Sequence, residues 1–326
     1  MVDLALSRSA PTGTEPDRRL PALSPIGAYA AGVTKRPTDT TLPVLGVLGA
    51  GLVPADDPVL AADDLGLTRG DGCFEATRVV TSESGSHEVD HLDAHLDRLA
   101  VSCALLALPE PDRERWLELI GQVLTEWHRP GEAMLKLMLT RGRESSPGGP
   151  ITGIASVTAT SEKVLRQRQR GIGVATLARG TASNTYTDAP WLLGGVKTLS
   201  YAVNVAALRT ATERGADDVL FTSTDGFVLE APTASLVWLT GSTLHTTPHG
   251  GTGILASITQ QALFTEAESD GFTTDYALGT VTDLHAADGV WLVSSGRGVA
   301  RIHTLDGSPL RDCAEATERL SKLAGF

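Results

Sequence analysis

Gly194-Gly195-Val196-Lys197-Thr198-Leu199-Ser200-Tyr201-Ala202-Val203-Asn204-Val205-Ala206-Ala207-Leu208 is the stretch on which the rest of the chain turns. Two glycines lead into a lysine with apolar residues on both sides, and a helix is expected from Leu199 to Arg214. A lysine in such a segment is ordinarily a solvated charge. Held among apolar neighbours, it loses hydration and its pKa falls, which suits it to forming a Schiff base with a carbonyl.

Three further pieces follow toward the end of the chain. In Asp225-Gly226-Phe227-Val228-Leu229-Glu230-Ala231-Pro232-Thr233, Glu230 sits in a strand expected over 228–239. It reads either as an exposed carboxylate or as one aimed at a cationic ring nitrogen. Gly250-Gly251-Thr252-Gly253-Ile254-Leu255-Ala256-Ser257-Ile258-Thr259-Gln260 is a glycine-rich loop running into a helix expected over 257–270. A helix start offers unpaired N–H groups to a phosphate, and Ser257 or Thr259 would add a hydroxyl; a plain capped helix is the alternative. Val293-Ser294-Ser295-Gly296-Arg297 closes an apolar strand with hydroxyls and a cation, at a place where active sites of α/β proteins gather. A desolvated lysine, a carboxylate and a phosphate cradle in one chain suit pyridoxal phosphate.

The remaining sequence bounds this reading. The chain has 326 residues, 27 Lys+Arg and 39 Asp+Glu, a net charge of −12. That surplus of anions argues against a nucleic-acid partner but is silent about a small basic pocket. Three scattered cysteines (Cys73, Cys103, Cys313) form no disulfide or zinc pattern. They fit a reducing compartment, so a cytoplasmic protein is expected. No signal peptide or membrane span is expected. Residues 1–42, rich in Pro, Thr and Ser, read as a disordered tail. Residues 43–160 read as a small N-terminal α/β domain, the polar stretch 161–170 as a linker, and 171–326 as a larger C-terminal domain. His87, His91 and His95 have the spacing of a metal-binding helix face, but Ser84-Gly85-Ser86 before them is a turn, so no metal site is expected. The GxSxG elbow, the phosphate loop of nucleotide-binding proteins and the full dinucleotide fingerprint are absent.

Taken together, RGDGCFEATRVV (69–80), HLDAHLDRL (91–99), KLMLTRG (136–142), GGVKTLSYAVNVAAL (194–208), DGFVLEAPTASLVWL (225–239), GILASITQQALF (253–264) and GVWLVSSGRGVARIHTLDG (289–307) resemble the class IV (fold-type IV) pyridoxal-phosphate enzymes. That family comprises branched-chain and D-amino-acid aminotransferases and 4-amino-4-deoxychorismate lyase. The resemblance runs from about Val44 to Leu310. It implies an α+β fold in two domains, the larger with a β-barrel-like core, and a homodimer. It also implies roles for particular residues: Lys197 as the Schiff-base lysine and proton carrier, and Glu230 as the partner of the pyridine nitrogen. Arg98, Ile258, Thr259 and Ser295 would hold the phosphate, and Tyr201 would face the ring oxygen. The chain departs from the family pattern at Glu230-Ala231-Pro232-Thr233-Ala234-Ser235, where Glu-Gly-Pro-Thr-Ser-Asn is usual, and at Ser257-Ile258-Thr259-Gln260, where Gly-Ile-Thr-Arg is usual.

Within the family, Leu135-Lys136 followed by Thr140-Arg141-Gly142 is similar to the lyases. No His follows Gly142 as it does in D-amino-acid aminotransferases. The implied substrate is a small anionic amino compound. For the lyase it is a dicarboxylate, met by Lys136, Arg141 and Arg297, each of which has an ordinary salt bridge as its alternative role. The expected reaction converts 4-amino-4-deoxychorismate to 4-aminobenzoate and pyruvate, a step toward folate. An aminotransferase of D- or branched-chain amino acids is the second reading and a non-catalytic relative the third.

Overall fold

The computed structural model describes residues 42–326. The expected disordered tail lies outside them apart from its last position, Leu42, which is exposed. The first sheet is antiparallel throughout. Its strands are β1 (Val44–Val47), β2 (Gly51–Val53), β3 (Gly72–Thr81), β4 (His87–Val89), β5 (Gly131–Thr140) and β6 (Thr152–Ala159), in the order β2-β1-β6-β5-β3-β4. Helices α1 (Leu65–Arg69), α2 (Leu92–Leu105) and α3 (Arg113–Glu126) accompany it. The two-residue period of β5 decides which face is core. Ala133, Leu135, Leu137 and Leu139 pack in one cluster with Leu96 and Leu99 of α2 and Trp116, Leu119 and Val123 of α3. Met134, Lys136 and Met138 point to the opposite face, paired in register with Arg78, Ala76 and Phe74 of β3.

Residues 161–170, expected as a linker, form helix α4 (Glu162–Arg170) between the two sheets in sequence. Ser161 caps it by accepting from the Val164 N–H, Glu162 lies in its first turn and Arg168 and Arg170 in its last, so the helix dipole is matched at both ends. Arg168 donates twice to Glu132 of β5, at 2.7 and 2.7 Å, and once each to the carbonyls of Gly296 and Arg297, at 3.0 and 2.9 Å.

The second sheet has eight strands: β7 (Ile172–Ala178), β8 (Asp218–Thr222), β9 (Ser235–Thr240), β10 (Thr243–Thr246), β11 (Thr273–Tyr276), β12 (Gly289–Ser294), β13 (Gly298–Leu305) and β14 (Ser308–Pro309). The order is β11-β10-β9-β12-β13-β7-β8, with β14 beside β13. It mixes parallel pairs (β10/β11, β13/β7, β7/β8) with antiparallel ones. Helices α5 (Ala202–Glu213), α6 (Ile258–Ser269), α7 (Val281–Ala286) and α8 (Ala314–Leu323) surround it. Its central strands are buried on both faces, which is why they read as unbroken apolar runs. Leu236, Trp238, Val290 and Leu292 join one cluster with Leu284 of α7; Val237, Leu239, Trp291 and Val293 join another with α6 and α8. The fold is therefore α+β, with a six-stranded sheet and an eight-stranded sheet joined in sequence by α4.

The strand expected over 228–239 begins only at Ser235. Pro232 lacks the N–H that a ladder needs, and residues 227–234 instead form a loop. That loop is held to β8 by the hydrogen bonds Phe221 N–H to Glu230 O and Leu229 N–H to Phe221 O, at 2.9 and 2.8 Å. Among the described residues no helix is long and apolar enough to cross a membrane.

Candidate active site

A cavity of about 620 Å³ is lined by Phe74 and Ala76 of β3, Arg98 of α2, Glu230, Ile258 and the 293–297 turn, with Lys197 among them. The backbone around Lys197 is tied to the first sheet. The Phe74 N–H donates to Lys197 O at 2.9 Å, the Leu199 N–H donates to Gly72 O at 2.9 Å, and Thr198 forms a bridge with Cys73. The lysine is thus covalently part of the second half of the chain and hydrogen-bonded to the first.

The Lys197 ammonium lies 4.4 Å from the centre of the Phe74 ring and 3.4 Å from the Tyr201 hydroxyl. Loss of hydration pulls its pKa down to about 8; Glu75 and Glu230 act against that fall, while Arg98 and Lys136 add to it. Burial also pushes the Tyr201 phenol up to about 12, so it stays protonated at neutral pH. Burial raises Glu230 to about 7, against the opposing pull of Arg179 and a hydrogen bond from the Leu255 N–H, whose length is 3.1 Å. Burial thus disfavours the charged form of both groups, a lysine and a carboxylate lining one cavity.

Ser257 caps α6 by accepting from the Gln260 N–H, which leaves its own O–H to donate, and the residue lines the cavity. The Thr259 hydroxyl lies 2.9 Å from that of Ser295, bringing the start of α6 and the 293–297 turn together. Arg98 reaches the same place: its Nη1 donates to Ala256 O at 2.7 Å. The glycine loop before α6 is required by contact. A Cβ on Gly253, whose φ is +69°, would come within 2.4 Å of the Tyr186 ring, and one on Gly194 within 2.4 Å of the same ring.

Of the expected site residues, Arg98, Lys197, Tyr201, Glu230, Ile258 and Ser295 line the cavity, and Thr259 touches it through Ser295. Lys136 is exposed on the cavity-facing side of β5 and close enough to Lys197 to affect its charge. Arg297 lines the cavity with its guanidinium 2.7 Å from the buried carboxylate of Asp218. Arg141 is not brought there. Pairing of Gly72 with Thr140 sets Asp71 beside it, and Arg141 is held by Asp71 at 2.6 Å and by the carbonyls of Leu106 and Ala107. The three histidines do not share a helix face: His87 is in β4, His91 precedes α2 with a φ of 48°, and His95 is buried against Glu75.

Sequence reading passed over Glu75, Arg179, Tyr186 and Asn204. Arg179 lies over the Tyr186 ring, 5.0 Å from its centre. Asn204 donates to Pro232 O at 2.9 Å and steadies the loop after Glu230. Glu75 alone left a signal: a charge at a core-facing position of β3, opposite a helix carrying His95 and Arg98 three residues apart.

The model of the class IV amino-transferase family matches residues 72–305. A bifunctional aminodeoxychorismate lyase / D-amino acid transaminase of Mycobacterium tuberculosis is 41% identical over 261 residues, 78% of this chain and 88% of that protein. Among solved structures, a hypothetical aminotransferase of the same organism in its alpha-ketoglutarate and PMP bound form superposes with a TM-score of 0.82 at 39% identity, covering 86% of this chain and 97% of that one. A fold IV-transaminase from Curtobacterium pusillum gives 0.80 at 38% identity, covering 87% and 97%. With matches spanning most of its length, the chain belongs to the class IV aminotransferase family.

Proposed function

We propose that this pyridoxal-phosphate enzyme is a lyase that converts 4-amino-4-deoxychorismate to 4-aminobenzoate and pyruvate. The donor set fits the cofactor: a desolvated lysine, a carboxylate within range of it, and an arginine beside a helix start where two hydroxyls meet. When bound, pyridoxal phosphate supplies an electron sink for the substrate carbon that loses its proton. Arg98, the N–H groups at Ile258 and Thr259, and the Thr259 and Ser295 hydroxyls hold the phosphate. Glu230 keeps the proton on the ring nitrogen. Tyr201 orients Lys197.

Lys197 takes the proton from the ring carbon that carries the substrate nitrogen. With a pKa of about 8, about a tenth of such a lysine is neutral at pH 7, enough for a base that a phenol keeps in place. The C–O bond on the adjacent carbon then breaks. The ring becomes aromatic, and the enolpyruvate that leaves gains a proton on its methylene carbon and becomes pyruvate. Lys136 and Arg297 bind the two substrate carboxylates.

The observation that carries the lyase reading is the exposed Lys136 on the same sheet face as Phe74 and Ala76, near Lys197. It adds a cation for a second carboxylate, which an ordinary amino acid would not use. Transamination of D-amino acids by the same site is the second reading, favoured by the bifunctional relative. One assay separates them. Purified protein with 4-amino-4-deoxychorismate and no 2-oxo acid is expected to release 4-aminobenzoate and pyruvate in equal amounts. Turnover of D-alanine only in the presence of 2-oxoglutarate, with none of the chorismate derivative, overturns the lyase reading. A homodimer belongs to the same proposal, with a second copy covering the exposed apolar residues Val203 and Val205 of α5; a monomer by light scattering at assay concentration refutes it.

A further inference from the structure

Beneath β3, Glu75 and His95 are set into an apolar core and meet Arg98, whose side chain reaches the cavity. Glu75 and His95 are each 1% exposed, in the layer where Leu96, Leu99 and Leu137 pack. Both oxygens of Glu75 are taken: Oε1 accepts from Arg98 Nε, and Oε2 accepts from Arg98 Nη2 and from His95 Nδ1, all at 2.7 Å. Burial lowers the pKa of His95, so it is neutral with its proton on Nδ1, where Glu75 accepts it. Burial alone would raise the Glu75 carboxyl, but the hydrogen bonds from Arg98 and His95 outweigh it and hold the group below its ordinary value, ionised.

Such a triad is a poor way to stabilise a core, since apolar side chains of the same volume commonly do as well or better. Its effect lies in Arg98. A guanidinium has five N–H bonds in one plane. Two are fixed by Glu75 and one by Ala256 O, the residue just before the α6 cap. Two remain, on a side chain that lines the cavity.

We propose that Glu75 and His95 are positioning residues for Arg98, fixing its plane so that the two remaining N–H groups meet the phosphate of the cofactor. The inference rests on the reading of Arg98 as a phosphate residue. Glu75 sets the orientation through two parallel bonds, and His95 sets the orientation of Glu75.

The test is the dissociation constant for pyridoxal 5'-phosphate, and for pyridoxal without its phosphate, titrated by absorbance onto cofactor-free protein. Glu75→Gln is expected to weaken pyridoxal 5'-phosphate at least tenfold while pyridoxal changes less than twofold. His95→Leu is expected to weaken the phosphate form three- to tenfold, and His95→Asn, whose side-chain amide replaces the Nδ1 donor, to restore it to within twofold of wild type. Melting of each cofactor-free variant checks that it is folded; if Glu75→Gln is not, the two His95 variants decide alone. A purely structural role would weaken both ligands equally, and that result, or a Glu75→Gln affinity within twofold of wild type, overturns the proposal. Arg98→Gln separates the two levels. If it loses phosphate selectivity and Glu75→Gln does not, only the positioning role fails; if neither loses it, the phosphate reading of Arg98 fails with it.

Discussion

The two ends of the cavity are built differently. At the Arg98 end nearly every polar group already has a protein partner: Arg98 with Glu75 and Ala256 O, Ser257 with the Gln260 N–H, Thr259 with Ser295. Elsewhere around Lys197, by contrast, Lys136 on β5 is exposed, and the irregular segment over 179–196 carries Trp191, 74% exposed. An end arranged before any ligand arrives suits a group common to all reactions of the family. An exposed cation suits the group that differs from one substrate to the next. Catalysis should therefore be lost by changes at the deep end and redirected by changes at the mouth.

The comparison breaks first at Lys197. Lys197→Ala is expected to cut kcat by about 10³-fold or more, within the range for removing a positioned proton carrier, and to abolish borohydride-stable attachment of the cofactor seen by mass spectrometry. Retained attachment would place the reactive amine elsewhere.

Glu230→Gln is expected to lower kcat about 10- to 100-fold, the effect of losing a charge-assisted hydrogen bond of roughly 1.5–3 kcal/mol. Its cofactor-free form gives an independent reading. The folded pKa of Glu230 is raised from 4.5 to about 7, so its favourable contribution is complete below pH 4.5 and is lost as pH rises through 7. The Tm of wild type relative to Glu230→Gln should fall across that window and level off above it. A constant difference would mean that Glu230 titrates normally.

At the mouth, Lys136→Met is expected to raise KM for the dicarboxylate about fivefold, the scale of one exposed charge pair. kcat for that substrate and all constants for D-alanine should be unchanged. A loss shared by both substrates would move Lys136 into the common machinery. The smallest effect is expected at Trp191. Trp191→Ala should shift stability by no more than about 0.5 kcal/mol, as exposed substitutions do, and a much larger fall in Tm would show the segment to be packed against something.

Much of this contrast was legible in the residues. Lys197 and Glu230 announce themselves by sitting in apolar runs, and the loop before α6 by its glycines, which Tyr186 now explains. Helix α4 is so polar that no apolar stripe marks it, and Ser161-Glu162 is its only local signal, a cap. The apolar run of 227–231 looks continuous with the strand that begins at Ser235, and Pro232 is the residue that interrupts it. Arg141 stands outside the cavity for a reason no local motif reveals: its partner Asp71 is 70 residues away, brought alongside by strand register. Long-range pairing also hid Glu75, whose meaning depends on a helix that crosses beneath it.

The bonds from Phe74 and Gly72 to the backbone beside Lys197 make the reactive residue a graft of one half of the chain onto the other. For recombination this means that the halves are not independent cassettes. A chimaera that joins residues up to α4 with the following part of a relative inherits the lysine from one parent and its footing from the other. Mismatch at these two backbone bonds would then cost turnover even where both halves fold.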